Sequence, residues 1–251
     1  MAKNYMIGNW KMNQSLDEIK DFFQDLTLDN NQNNFWIAPQ TMHLSLSIDI
    51  AARAGILIGS QNCSDQEHGA YTGENSTDSL MELGCHFTLV GHSERRSYYA
   101  ETDAFINNKV AKAIEKGLVP VLCVGESLAE REAGKTADIV LAQVKNGLKD
   151  IELNNESELI VAYEPVWAIG TGKTASPEQA GEVHNQIRAL LTELYDETGK
   201  DISILYGGSV KPSNVKDLLA LENINGGLVG GASLKADSFS LLCACLLYTS
   251  D

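Results

Sequence analysis

The segment Ala162-Tyr163-Glu164-Pro165-Val166-Trp167-Ala168-Ile169-Gly170-Thr171-Gly172-Lys173-Thr174-Ala175 joins a strand to a helix, and its make-up sets the fold class. The apolar run Leu159 to Ala162 reads as a buried strand. Glu164 follows almost at once, where the solvent-facing end of that strand would sit. After Pro165 and Trp167 come small residues with two glycines, then Ser176-Pro177-Glu178-Gln179. Ser as N-cap, Pro at the first helical position and Gln three residues after the cap form a capping box. A rigid strand therefore presents an acid or base, and a glycine-containing loop of lid length follows it. Chemistry that needs a base and temporary exclusion of water is built this way.

Outward from this unit the same alternation recurs. Strands are predicted at 5–8, 35–38, 56–59, 87–91, 119–124, 159–163, 202–206 and 227–229. Helices are predicted between them, among others over 15–26, 102–116, 136–148 and 177–195. Over 102–116, Phe105, Val110, Ala113 and Ile114 are expected to share the inward face. Alternating strands and helices imply parallel strands with right-handed crossovers. Eight such units in 251 residues match an α/β fold of the closed (β/α)8 barrel type, with eight parallel strands, read as one domain over 1–251. A doubly wound open sheet is the rival, but no G-x-G-x-x-G follows the first strand.

The chain carries 19 Lys and Arg against 34 Asp and Glu, a net charge of −15. A nucleic-acid surface needs the opposite bias, so DNA and RNA are discounted as partners. No apolar run approaches the roughly 20 residues that span a bilayer, and no signal peptide precedes the first strand. Five cysteines without a C-x-x-C pair favour reduced thiols in a cytoplasmic protein over a disulfide frame or a zinc site. No His, Asp or Glu spacing suggests a metal.

In a barrel the residues that follow the strands gather on one face. Asn9 and Lys11 lie on one side of an extended segment, with Trp10 turned toward the barrel wall; alone, Lys11 would read as a surface lysine. His92 sits where a strand gives way to a turn or short helix, whose partial positive charge disfavours imidazolium; a structural, hydrogen-bonded histidine is the alternative. Glu94, Arg95 and Arg96 read as ion-pairing residues, with a supporting role for Glu94 left open. Gln61 and Glu126 read as structural polar groups. Gly207-Gly208-Ser209 and Gly230-Gly231 leave backbone N–H groups open after strands 7 and 8, the usual place for a phosphate in this architecture. Ser213 reads as a helix N-cap.

Six stretches in order carry a resemblance: 8–13 (GNWKMN), 69–74 (GAYTGE), 91–96 (GHSERR), 162–175, 206–210 (YGGSV) and 227–234 (GLVGGASL). By them the chain resembles the triosephosphate isomerases over nearly its whole length. The resemblance implies a TIM barrel that interconverts dihydroxyacetone phosphate and glyceraldehyde 3-phosphate, in glycolysis and gluconeogenesis, without metal or cofactor. A glutamate base paired with a neutral histidine under a closing loop is that family's known chemistry. The resemblance implies Glu164 as the base, His92 as the electrophile, and Lys11 and Asn9 as the groups that stabilise charge. It further implies Gly170, Ser209, Gly230 and Gly231 as phosphate-holding residues, 165–175 as the lid, and a homodimer through the loop around Thr72. Two other readings stand beside it: another sugar-phosphate isomerase, and a non-catalytic phosphate-binding barrel. The family's last helix closes with polar residues. Here 239–248 is nearly all apolar, so the last several residues read as a non-native or truncated end.

Overall fold

A computed structural model of the chain describes residues 2–28, 34–169 and 174–247. Eight strands, β1 (Tyr5–Asn9), β2 (Phe35–Ala38), β3 (Leu57–Ile58), β4 (Phe87–Val90), β5 (Val119–Val124), β6 (Ile160–Tyr163), β7 (Ser203–Tyr206) and β8 (Gly226–Val229), lie in the order β3-β2-β1-β8-β7-β6-β5-β4. All their pairings are parallel. A single parallel bridge, Ser60 to Thr88, joins the two ends of this order. It is reinforced by Ser60 Oγ donating to Thr88 Oγ1 at 2.8 Å. The expected barrel is thereby formed.

Around the strands lie α1 (Leu16–Asp25), α2 (Leu44–Ala51), α3 (Thr77–Leu83), α4 (Ser93–Tyr98), α5 (Asp103–Lys116), α6 (Leu128–Glu132), α7 (Thr136–Gly147), α8 (Pro177–Asp201), α9 (Val215–Leu219) and α10 (Ala236–Leu247). Side chains of a strand alternate between its two faces, and two apolar layers result. Ile7, Trp36, Phe87, Leu89, Val121, Ile160, Ala162, Leu205 and Leu228 fill the barrel. Met6, Ile37, Val90, Leu122, Val161 and Tyr163 face outward and pack beneath the helices. In β6 the inward set is Ile160 and Ala162, so Glu164, the next in phase, emerges inward at the strand's end.

Several expectations are corrected. The third strand contracts from 56–59 to two residues, Leu57 and Ile58. On α5 the inward face carries Ile106, Lys109, Val110 and Ala113, while Phe105 is 36% exposed. Ser213 caps nothing. Asn214 precedes α9, and its side chain accepts from Lys211 N at 2.8 Å and donates to Ser209 O at 2.9 Å. The helix expected to end at Tyr195 reaches Asp201, with a break in helical geometry at Asp196 (φ 49°, ψ −126°). The capping box at its start is present, with Gln179 N to Ser176 Oγ at 3.2 Å and Ser176 N to Gln179 Oε1 at 3.0 Å. Among the described residues no helix is long and apolar enough to cross a membrane.

Candidate active site

A cavity of about 490 Å³ opens at the C-terminal ends of the strands. Asn9, Lys11, His92 and Glu164 line it together with Ser209, Gly230 and Gly231. Seven of the eight residues expected at the site therefore meet in one space. The eighth, Gly170, lies outside the described residues, and so does the middle of the expected lid, 170–173.

Glu164 is buried. Its backbone N–H donates to Val124 O at 2.7 Å, which extends the β5–β6 ladder by one residue. Gly207 leaves room for its side chain: a Cβ there would sit 2.8 Å from Glu164 Cγ. The carboxylate accepts from Ser93 N at 3.0 Å through Oε2 and lies 3.0 Å from His92 Nε2 through Oε1.

His92 occupies the N-cap of α4, and its Nδ1 accepts the backbone N–H of Glu94 at 3.2 Å. An accepting Nδ1 carries no proton, so the ring proton resides on Nε2 and is donated to Glu164. Burial alone lowers the His92 pKa, but the charge and hydrogen bond of Glu164 outweigh burial and raise it above its ordinary value. Burial raises that of Glu164, and His92, the Ser93 N–H and Lys11 together outweigh burial and hold it below its ordinary value. The pair is coupled, and each half of the shift depends on the other being in place.

Lys11 reaches the cavity from a backbone in the left-handed region (φ 51°). Such a conformation is costly for a residue with a Cβ, and two side-chain bonds to its own peptide groups offset it. Asn9 Oδ1 accepts Lys11 N at 3.0 Å, and Gln61 Nε2 donates to Lys11 O at 2.8 Å and to Ala38 O at 2.9 Å. The ammonium pairs with Glu94 Oε1 at 2.6 Å, so Glu94 does stand beside the site. Trp10 is turned outward as expected, its Nε1 donating to Ser233 O at 2.9 Å.

Gln61 and Glu126 both hold structural positions. Buried Glu126 accepts from Tyr163 OH at 3.0 Å, from Arg131 at 3.0 Å and from Trp167 Nε1 at 2.9 Å, anchoring the described start of the expected lid. Sequence reasoning passed over Ser93, which acts through its backbone and so carries no side-chain signal. Among the described residues no group of three His, Cys, Asp or Glu is arranged to hold a metal ion.

A family model described as triosephosphate isomerase matches residues 4–246. The chain belongs to the triosephosphate isomerase family. It is 48% identical over 244 residues to the triosephosphate isomerase of Chlorobium phaeobacteroides, covering 95% of this chain and 97% of that protein. It is 47% identical over 246 residues to the one from Fusobacterium nucleatum, with the same two coverages. With the one from Chlorobaculum tepidum the identity is 49% over 239 residues, covering 93% of this chain and 97% of that protein. Membership of the triosephosphate isomerase family is thus carried by the whole barrel and not by one motif.

Proposed function

We propose that this chain interconverts dihydroxyacetone phosphate and D-glyceraldehyde 3-phosphate by proton transfer through an enediol(ate). The observation that carries this reading is the contact of Glu164 with His92 in a cavity that also holds Lys11 and three backbone-rich phosphate candidates.

Glu164 takes the proton from the carbon beside the carbonyl and returns it to the neighbouring carbon. Negative charge develops on the carbonyl oxygen, where a fixed donor is most effective. The Nε2–H of His92 is such a donor, and it passes a proton between the two oxygens of the intermediate. A substrate oxygen at Nε2 displaces the carboxylate, so the group that raises the His92 pKa leaves while burial remains. The imidazole then reacts as a neutral acid. Release from Ser93 N and His92 likewise restores basicity to Glu164. Lys11 and Asn9 stabilise charge on the substrate, and backbone N–H groups of Ser209, Gly230, Gly231 and Gly170 take the phosphate oxygens. Closure of 165–175 excludes water. The route draws only on groups of the protein.

A coupled assay with glyceraldehyde 3-phosphate tests the reading, since a non-catalytic barrel or another isomerase would leave this substrate unchanged. Lys11→Met is expected to abolish detectable binding of a phosphate-bearing inhibitor in calorimetry; unchanged affinity would remove Lys11 from the site.

The reading includes one domain, a cytoplasmic setting and a homodimer. A second cavity of about 310 Å³, lined by Met12, Thr41, Gly73, Glu74, Arg95 and Tyr99 among others, adjoins Asn9, Lys11 and His92. Of its lining residues, Met12 and Tyr99 are large and exposed, as expected of a surface covered on association. The loop around Thr72 from a second copy would fill it. Thr72→Glu is expected to shift sedimentation toward monomer by burying an unpaired charge; an unaltered profile would contradict this interface.

A further inference from the structure

We infer that Gln143, on the outer helix α7, is a positioning residue that sets the place of Glu164 by clamping Gly125. The inference rests on Glu164 being the base.

The β5–β6 ladder ends at Val124 and Tyr163, with Glu164 N bonded to Val124 O just beyond. Gly125 is the next residue of the β5 chain and is pressed against the backbone of Glu164. A Cβ on Gly125 would lie 1.7 Å from Glu164 O and 2.7 Å from Glu164 C, so only glycine fits. The carboxamide of Gln143 engages both polar groups of Gly125: Gly125 N donates to Oε1 at 2.8 Å, and Nε2 donates to Gly125 O at 3.1 Å. One side chain thus supplies the donor and the acceptor that another strand would have supplied.

Two bonds to one residue fix the rotation of its peptides, where one bond would leave it free to swing. Packing against Glu164 does not close the other side of Gly125. A cavity of about 220 Å³ lies beside the contact, lined by Gly125, Gln143, Glu164 and Val166. With the clamp removed, the cavity gives Gly125 room to rotate, and its contact with Glu164 would shift the carboxylate-bearing backbone in turn. Displacement of a reacting group by about 1 Å can cost about 100-fold in rate.

The test compares the full-length wild type with Gln143→Leu and Gln143→Glu. Gln143→Leu is expected to lower kcat by about 10-fold or more with KM within about twofold, as for a misplaced base rather than lost substrate binding. Gln143→Glu keeps an acceptor for Gly125 N, but as a carboxylate it has no proton for Gly125 O. Protonated, its O–H restores the second bond. The ratio of its kcat to that of wild type is therefore expected to climb as pH falls from 8 toward 5, while the ratio for Gln143→Leu stays flat. Normal kcat in folded Gln143→Leu would overturn the inference, as would a pH-independent ratio for Gln143→Glu. If Gln143→Leu fails to fold, the pH profile of Gln143→Glu decides alone. Absence of turnover in the wild type would instead overturn the assignment of Glu164.

Discussion

Two buried carboxylates of this protein, Glu101 and Glu164, are held in opposite ways. Glu101 Oε1 accepts from Arg95 Nε at 2.6 Å and from Lys109 Nζ at 2.6 Å, and Lys109 is fully buried and also bonded to Asn62. The partners are a guanidinium and an ammonium bonded directly to one carboxylate oxygen, and removing one member leaves the others without their ion pair. Glu164 instead meets a neutral-capable imidazole and one backbone N–H. Those partners hold the anion and can let it go. Glu101 is thus tied to two cationic side chains, and Glu164, the proposed base, to an imidazole and a peptide N–H.

The sharpest way to break this contrast is a crossed pair of substitutions. Glu164→Gln is expected to lower kcat by about 10²- to 10⁴-fold, the range for loss of a general base. Its urea midpoint is expected to stay level or rise, because the amide oxygen still accepts from Ser93 N and a buried charge is gone. A large loss of stability with turnover retained would reverse the assignment. Glu101→Ala is expected to do the opposite. It leaves Lys109 charged and buried, which costs about 3–5 kcal/mol, while turnover per folded molecule stays near that of the parent. Urea unfolding at fixed protein concentration reads the first quantity and a steady-state assay the second.

A third buried group refines the comparison at smaller magnitude. His184 is fully buried with its Nδ1 2.8 Å from Asn223 O, and burial, only partly opposed by that bond, drives its pKa down to about 4. The folded value lies below the unfolded value of 6.5, so its contribution is complete above pH 6.5 and is lost as pH falls toward 4. That loss is roughly 3 kcal/mol. His184→Gln is expected to flatten the fall in unfolding free energy between pH 6.5 and 4.5. A fall parallel to that of wild type would assign the acid sensitivity elsewhere.

How much of this was legible in the sequence depends on whether a residue announces itself through periodicity. Ile160, Ala162 and Glu164 share one phase, so the inward aim of the carboxylate follows from strand geometry. Asn9 follows Tyr5 and Ile7 in the same manner. Lys11 does not, because its left-handed backbone departs from the strand. On α5, counting apolar residues put Phe105 inside and overlooked Lys109. The carboxylate that allows Lys109 to be buried, Glu101, lies before the helix and outside its pattern. Ser213 next to Pro212 resembled a cap, whereas Asn214 is the residue that ties Lys211 to Ser209. Gln143 left no trace, since its partners are backbone atoms of another element. Side chains that serve distant peptide groups are invisible to patterning, and much of the support around this site is of that kind.

The ring of strands is shut between β3 and β4 by the bridge of Ser60 with Thr88 and by His86 N donating to Ile58 O at 2.8 Å, and the chain between those strands bears the exposed residues 71–73. Clasp and handle are therefore one piece of chain. A molecule that holds 71–73 would therefore hold the same connection whose two ends form the clasp.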